Sequence, residues 1–149
     1  MEEKYRYEIK MVFDALRLHE VRSWVYGHSD AFHVAYPPRQ VNNIDFDTIE
    51  RNLMMDHLDG GANRSKVRFR WYGESWFTIG AQIEVKIKES QLGYKKIQSV
   101  PDTIDISKSS WAEIVEFLQR DSADEFSFLI GGLKPVVINQ YKREYYVSM

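Results

Sequence analysis

The sequence predicts an α+β fold built on an antiparallel sheet. Three observations carry that expectation. Several segments alternate apolar and polar residues with the period of a strand. Others space their apolar residues for a helix and end in glycine. The two kinds come in mixed order with short links, unlike the regular strand–helix alternation of a doubly wound parallel sheet. The chain has 149 residues, one domain's length, and enough to bury a core without disulfide staples.

Taken in order, Arg6 to Val12 reads as a strand, with Tyr7, Ile9 and Met11 alternating against Arg6, Glu8 and Lys10. From Phe13 to Gly27 the period becomes helical: Leu16, Val21, Trp24 and Val25 form the apolar face, and Asp14 and Gly27 stand at the ends. Pro37-Pro38 enforces an extended or turning segment. Val41 to Asp47 is a second strand, and Thr48 caps a short helix toward Leu58 that Gly60-Gly61 closes. Ser65 to Tyr72 is a third strand, linked by Gly73-Glu-Ser75 to a longer fourth one over Trp76 to Lys88. Ser110 to Gln119 is helical, a second helix from Ser122 or Asp124 ends at Gly131-Gly132, and Pro135 to Val147 is the last strand.

Composition excludes several function classes. With 20 Lys+Arg against 22 Asp+Glu the net charge is −2, so there is no bulk electrostatic case for a nucleic-acid or acidic-membrane partner. A basic site has to come from arrangement. The absence of cysteine removes disulfides, zinc–thiolate centres and thiol nucleophiles. The charged start lacks a signal-peptide core and no apolar run is long enough for a membrane helix, so the expected location is cytoplasmic. No phosphate-cradling Gly-rich loop or nucleophile elbow occurs, and His19, His28, His33 and His57 lack metal-ligand spacing.

Arrangement is where the chain is informative. Side chains two apart on a strand share a face. Lys66, Arg68, Arg70 and Tyr72 lie opposite Val67, Phe69 and Trp71; Gln82, Glu84, Lys86 and Lys88 lie opposite Ile83, Val85 and Ile87; Tyr141, Arg143 and Tyr145 share a face of the last strand. A half-solvated sheet explains Lys86 and Lys88 taken alone. It explains Lys66-x-Arg68-x-Arg70 less well, because three cations in one row repel and suit an anion, with Arg offering a planar fork for phosphate oxygens.

Six segments in order together resemble the VTC-type polyphosphate polymerase domain of the CYTH-like triphosphate tunnel metalloenzymes. They are Arg6-Tyr-Glu-Ile-Lys10, Arg39 through Thr48, Asp56-His-Leu-Asp-Gly60, Lys66-Val-Arg-Phe-Arg-Trp-Tyr-Gly73, Glu84-Val-Lys-Ile-Lys88 and Pro135 through Tyr145. The resemblance implies a mostly antiparallel β tunnel or barrel with a few flanking helices. It implies binding of ATP, triphosphate or inorganic polyphosphate, and a divalent metal, Mn²⁺ or Mg²⁺. Lys10, Arg68, Arg70 and Lys86 would carry the transfer electrostatically, with Lys66, Lys88 and Arg143 also on the phosphates and Glu8 and Glu84 as tunnel carboxylates near metal. The expected activity is phosphotransfer of the polymerase type once the domain is complete; the alternatives are a non-catalytic polyphosphate or triphosphate binder and a metal-dependent triphosphatase.

Two departures from the pattern stand out. Arg6 occupies a position where the superfamily often has Glu, and Asp45 one where the family commonly has Tyr. The chain also reads as a single domain over residues 1–149 that ends before the family's last strands. Unpaired sheet edges would then favour association with a second copy.

Overall fold

The structure is a computed structural model that describes residues 9–89 and 92–149. It is α+β, with five strands, β1 (His33–Asp47), β2 (Asn63–Tyr72), β3 (Ala81–Glu89), β4 (Leu92–Val100) and β5 (Lys134–Val147), and helices α1 (Leu18–Tyr26), α2 (Asn52–Leu58), α3 (Trp111–Arg120) and α4 (Asp124–Gly131). The strands form one antiparallel sheet in the order β4-β3-β2-β1-β5, open at β4 and β5 among the described residues. No helix of the described residues is long and apolar enough to cross a membrane. The chain divides into two compact units, residues 38–143, and residues up to 37 together with 144–149.

The larger unit is built on the alternation of its strands. Ile44 and Phe46 of β1, Val67, Phe69 and Trp71 of β2, and Ala81, Ile83 and Val85 of β3 are all buried on one face. The register puts like against like: Ile44 faces Phe69, Phe46 faces Val67, Phe69 faces Ile83 and Val67 faces Val85. Ile114, Phe117 and Leu118 of α3 and Ile130 of α4 join the same cluster, so these helices cover the apolar face and leave the other to charge. Ser110 and Glu113 form a reciprocal capping box that starts α3.

The short helix α2 is fixed by a residue outside the helix. Asp47 Oδ1 accepts from the backbone N–H of Thr48 at 2.7 Å and Leu53 at 2.9 Å, and Oδ2 accepts from Met54 N–H at 2.9 Å. The N-cap is Arg51, in the left-handed region, and not Thr48 as expected; Thr48 lies one turn earlier, its Oγ1 accepting from Asn52 N–H at 3.0 Å. Beyond the helix, Gly60 takes φ +68° and Gly61 N–H returns to the Asp56 carbonyl at 3.0 Å, closing the C-terminus as the Gly-Gly pair predicts.

In the smaller unit, the Asp14 side chain accepts from Leu16 N–H at 2.8 Å and starts a 3₁₀ turn over Ala15–Arg17 that leads into α1. Gly27 ends α1, its N–H bonded to the Ser23 carbonyl at 2.9 Å. Arg22 forms a two-point ion pair with Glu144, which also accepts from the Tyr146 hydroxyl at 2.7 Å. The Arg22 hydrogen bond, then that of Tyr146, holds the Glu144 carboxyl below its ordinary value.

Three expectations need correcting. The strand over Arg6 to Val12 falls partly outside the described residues, and residues 9–12 take no regular structure. The fourth strand begins at Ala81, not Trp76, because residues 76–78 bond elsewhere: Trp76 O accepts from Ile106 N–H and Thr78 N–H reaches Ile104 O, both at 3.1 Å. Residues 92–100, assigned to no element by the alternation, form β4.

Candidate functional site

The face opposite the core gathers charge in rows fixed by register. Lys66 of β2 stands beside Lys86 of β3, which stands beside Lys95 of β4. Such a row of like charges directly across three strands is destabilising by itself. On one side of it Arg64 pairs with Lys88. On the other, Arg68 stands between Asp45 of β1 and Glu84 of β3, and beyond that Arg70 stands between Asn43 and Gln82.

Two carboxylates keep this face ordered. Glu84 is 1% exposed. Its Oε1 accepts from Gln82 Nε2 at 2.6 Å, Lys95 Nζ at 2.8 Å and Arg70 Nη1 at 3.3 Å. Burial pushes the Glu84 carboxyl up, but the Lys95 hydrogen bond, the charges of Arg70 and Lys95 and the Gln82 hydrogen bond outweigh it and hold it below the ordinary value. Its Oε2 is buried and receives no hydrogen bond. Asp45 lies with Oδ2 at 3.6 Å from Lys66 Nζ and Oδ1 at 3.6 Å from Arg68 Nε. Asn139 of β5 donates to Oδ2 at 2.9 Å, while Oδ1 is buried without a hydrogen bond.

The predicted site residues thus separate by role. Lys66, Arg68, Arg70, Glu84, Lys86 and Lys88 share the one face, as strand alternation requires. Arg70 is buried, with Nε donating to Asn43 Oδ1 at 2.7 Å, so it braces the sheet from within. Arg68 is partly accessible, and Lys66 and Lys86 are exposed. Asn139 links β5 to this face through Asn43 at 2.7 Å, which places Tyr141 and Arg143 on the same side by alternation. Arg143 is exposed, its guanidinium donating to the Tyr141 hydroxyl at 3.1 Å. Lys10 belongs to the smaller unit, and Glu8 lies outside the described residues.

Sequence reasoning missed Lys95 and the part played by Asp45. Lys95 stayed hidden because β4 inverts the usual alternation. Ile97 lies on the charged face, while Lys96 and Gln98 lie on the helix-covered face, reaching Glu125 and the Ala123 N–H.

The fold is thus an open antiparallel α+β sheet with α3 and α4 over one face and in-register cations on the other. Compared with protein-family models, the chain matches the VTC domain over residues 5–149. It belongs to the VTC domain family, and membership points to a polyphosphate-related function. No curated protein matches the chain.

Proposed function

We propose that this chain is a phosphotransferase domain of the polyphosphate-polymerase type, which holds ATP or a polyphosphate chain along its charged sheet face. The observation that carries this reading is the lysine row Lys66–Lys86–Lys95 with Arg68 beside it. A polyanion laid across the row converts mutual repulsion into charge-assisted hydrogen bonds. Transfer of a phosphoryl group is mostly positioning and charge neutralisation, which such a face supplies without a covalent intermediate.

The family also implies a divalent metal, and one feature fits it. Glu84 Oε2 is a buried carboxylate oxygen without a donor, the hard ligand type Mg²⁺ and Mn²⁺ take, and such ions commonly use one or two carboxylates together with substrate phosphates. Glu84 would hold the ion through that oxygen. The metal, when bound, would neutralise charge that develops on the phosphate oxygens. Lys66, Lys86 and Arg68 bind and orient the chain; Arg70 and Lys95 hold Glu84 ionised.

A second reading, binding without turnover, is favoured by the commitment of Glu84 Oε1 to Arg70 and Lys95. Incubation with ATP and Mn²⁺ followed by assay for polyphosphate separates the two. Thermal stabilisation by inorganic triphosphate, with and without metal, is measured beside it. Product supports transfer; stabilisation without product supports the binder. Lys66→Ala combined with Arg68→Ala abolishes either signal, and unchanged stabilisation in that variant overturns the assignment.

A further inference from the structure

Two cations of the charged face share one carboxylate. Asp45 of β1 lies directly across from Arg68 of β2 in register. Its Oδ1 stands 3.6 Å from Arg68 Nε and its Oδ2 3.6 Å from Lys66 Nζ. One side chain thus spans two residues that are about 7 Å apart along their strand. Both separations exceed the roughly 2.7–2.9 Å of a charge-assisted hydrogen bond. Asp45 therefore acts on the pair by charge, without taking up their N–H groups. The carboxylate is also held in place. Asn139 Nδ2 of β5 donates to Oδ2 at 2.9 Å, and Asn139 Oδ1 in turn accepts from Asn43 Nδ2 at 2.7 Å. The Asp45 side chain is 15% exposed against 47% for Lys66, and a charge partly withdrawn from water acts more strongly on its neighbours.

We infer that Asp45 is an affinity-limiting counter-ion: it places on Lys66 and Arg68 the negative charge that a phosphate group would bring, and a polyanion bound there has to compete with it. The inference rests on the phosphate-binding reading above and adds to it a residue that acts against binding. Its content is a balance. In the free protein Lys66 and Arg68 stand on one face, and Lys66 faces Lys86 across the sheet, an arrangement that repels. Asp45 offsets part of that repulsion. Once a phosphate oxygen lies beside Lys66 or Arg68, Asp45 becomes a like charge at short range and loosens what the two cations grip. Competition has the opposite sign from bracing: removing a brace weakens binding, and removing a competitor strengthens it. Asp45 is a tuning residue in this sense, and Asn139 fixes where it acts.

The test uses Asp45→Asn, which keeps the shape and removes the charge, and Asp45→Thr, which suits a strand and guards against a misplaced amide in the first variant. The affinity of the full chain for inorganic triphosphate is measured by calorimetry at low and at physiological salt, with urea melts to verify that each variant is folded. Both variants are expected to bind about tenfold tighter than wild type at low salt, a gain that narrows as salt rises. Asp45→Glu, which retains the charge, shows no such gain. Folded Asn and Thr variants that bind as wild type does, or more weakly, refute the counter-ion and leave the phosphate-binding reading standing; an equal gain in Asp45→Glu refutes it as well. If neither wild type nor any variant binds triphosphate, both readings fail.

Discussion

Arg70 reaches diagonally across β2 and β3 to Glu84: its partner in register is Gln82, yet its Nη1 stands 3.3 Å from Glu84 Oε1. The pair is buried on the sheet face that carries the site, with side chains 8% and 1% exposed. Removing one member of a buried pair strands the other charge. Glu84→Ala is expected to cost about 3–5 kcal/mol in urea unfolding at neutral pH. Loss under 1 kcal/mol would show that the pair does not brace the sheet.

The same carboxylate sets an acid dependence. Its pKa is lower folded than unfolded, so it contributes stability above the unfolded value, near 4.3 for Glu, that is lost as pH falls through the folded one. Unfolding midpoints measured from pH 6 downward should therefore drop in this acid range. In Lys95→Met the loss should begin at higher pH, because the hydrogen bond from Lys95 is the largest influence holding Glu84 ionised. Superimposable profiles for wild type and Lys95→Met would contradict the arrangement.

Asp47 bonds three backbone N–H groups around the start of α2. Asp47→Ala should cost about 1–2 kcal/mol, the range of a lost helix cap, read as a shifted urea midpoint.

Arg68 is partly buried, with its side chain 15% accessible and Asp45 beside it. Arg68→Ala should weaken triphosphate binding by about 10- to 100-fold, as expected for one charged hydrogen-bonding group. Lys86→Ala, at an exposed position, should cost less, and its effect should fade between low and physiological salt. Equal effects and equal salt dependence for the two variants would argue against a graded face.

Much of the fold was legible because β2 and β3 alternate cleanly. Val67, Phe69 and Trp71 against Lys66, Arg68 and Arg70 leave one way to orient the strand, and the structure follows it. The helices at Trp111–Arg120 and Asp124–Gly131 were legible from their spacing and ends. What stayed hidden depends on partners distant in sequence. β4 carries Lys96 and Gln98 on the helix-covered side because α4 and the residue preceding it supply polar partners there. Trp76 to Thr78 has strand-like composition but bonds residues 104–106. Asp45 reads as a surface acid until Asn139 and Arg68 are found beside it.

In β2, every second side chain belongs to the oil of the core and every other to the ligand-facing surface. A single inserted residue would exchange the two sets from that point onward, sending Trp71 toward water and burying cations under α3 and α4. Length changes in this strand are thus forbidden twice over, while point changes on either side can be tried independently, which makes β2 the natural backbone for re-engineering what this surface grips.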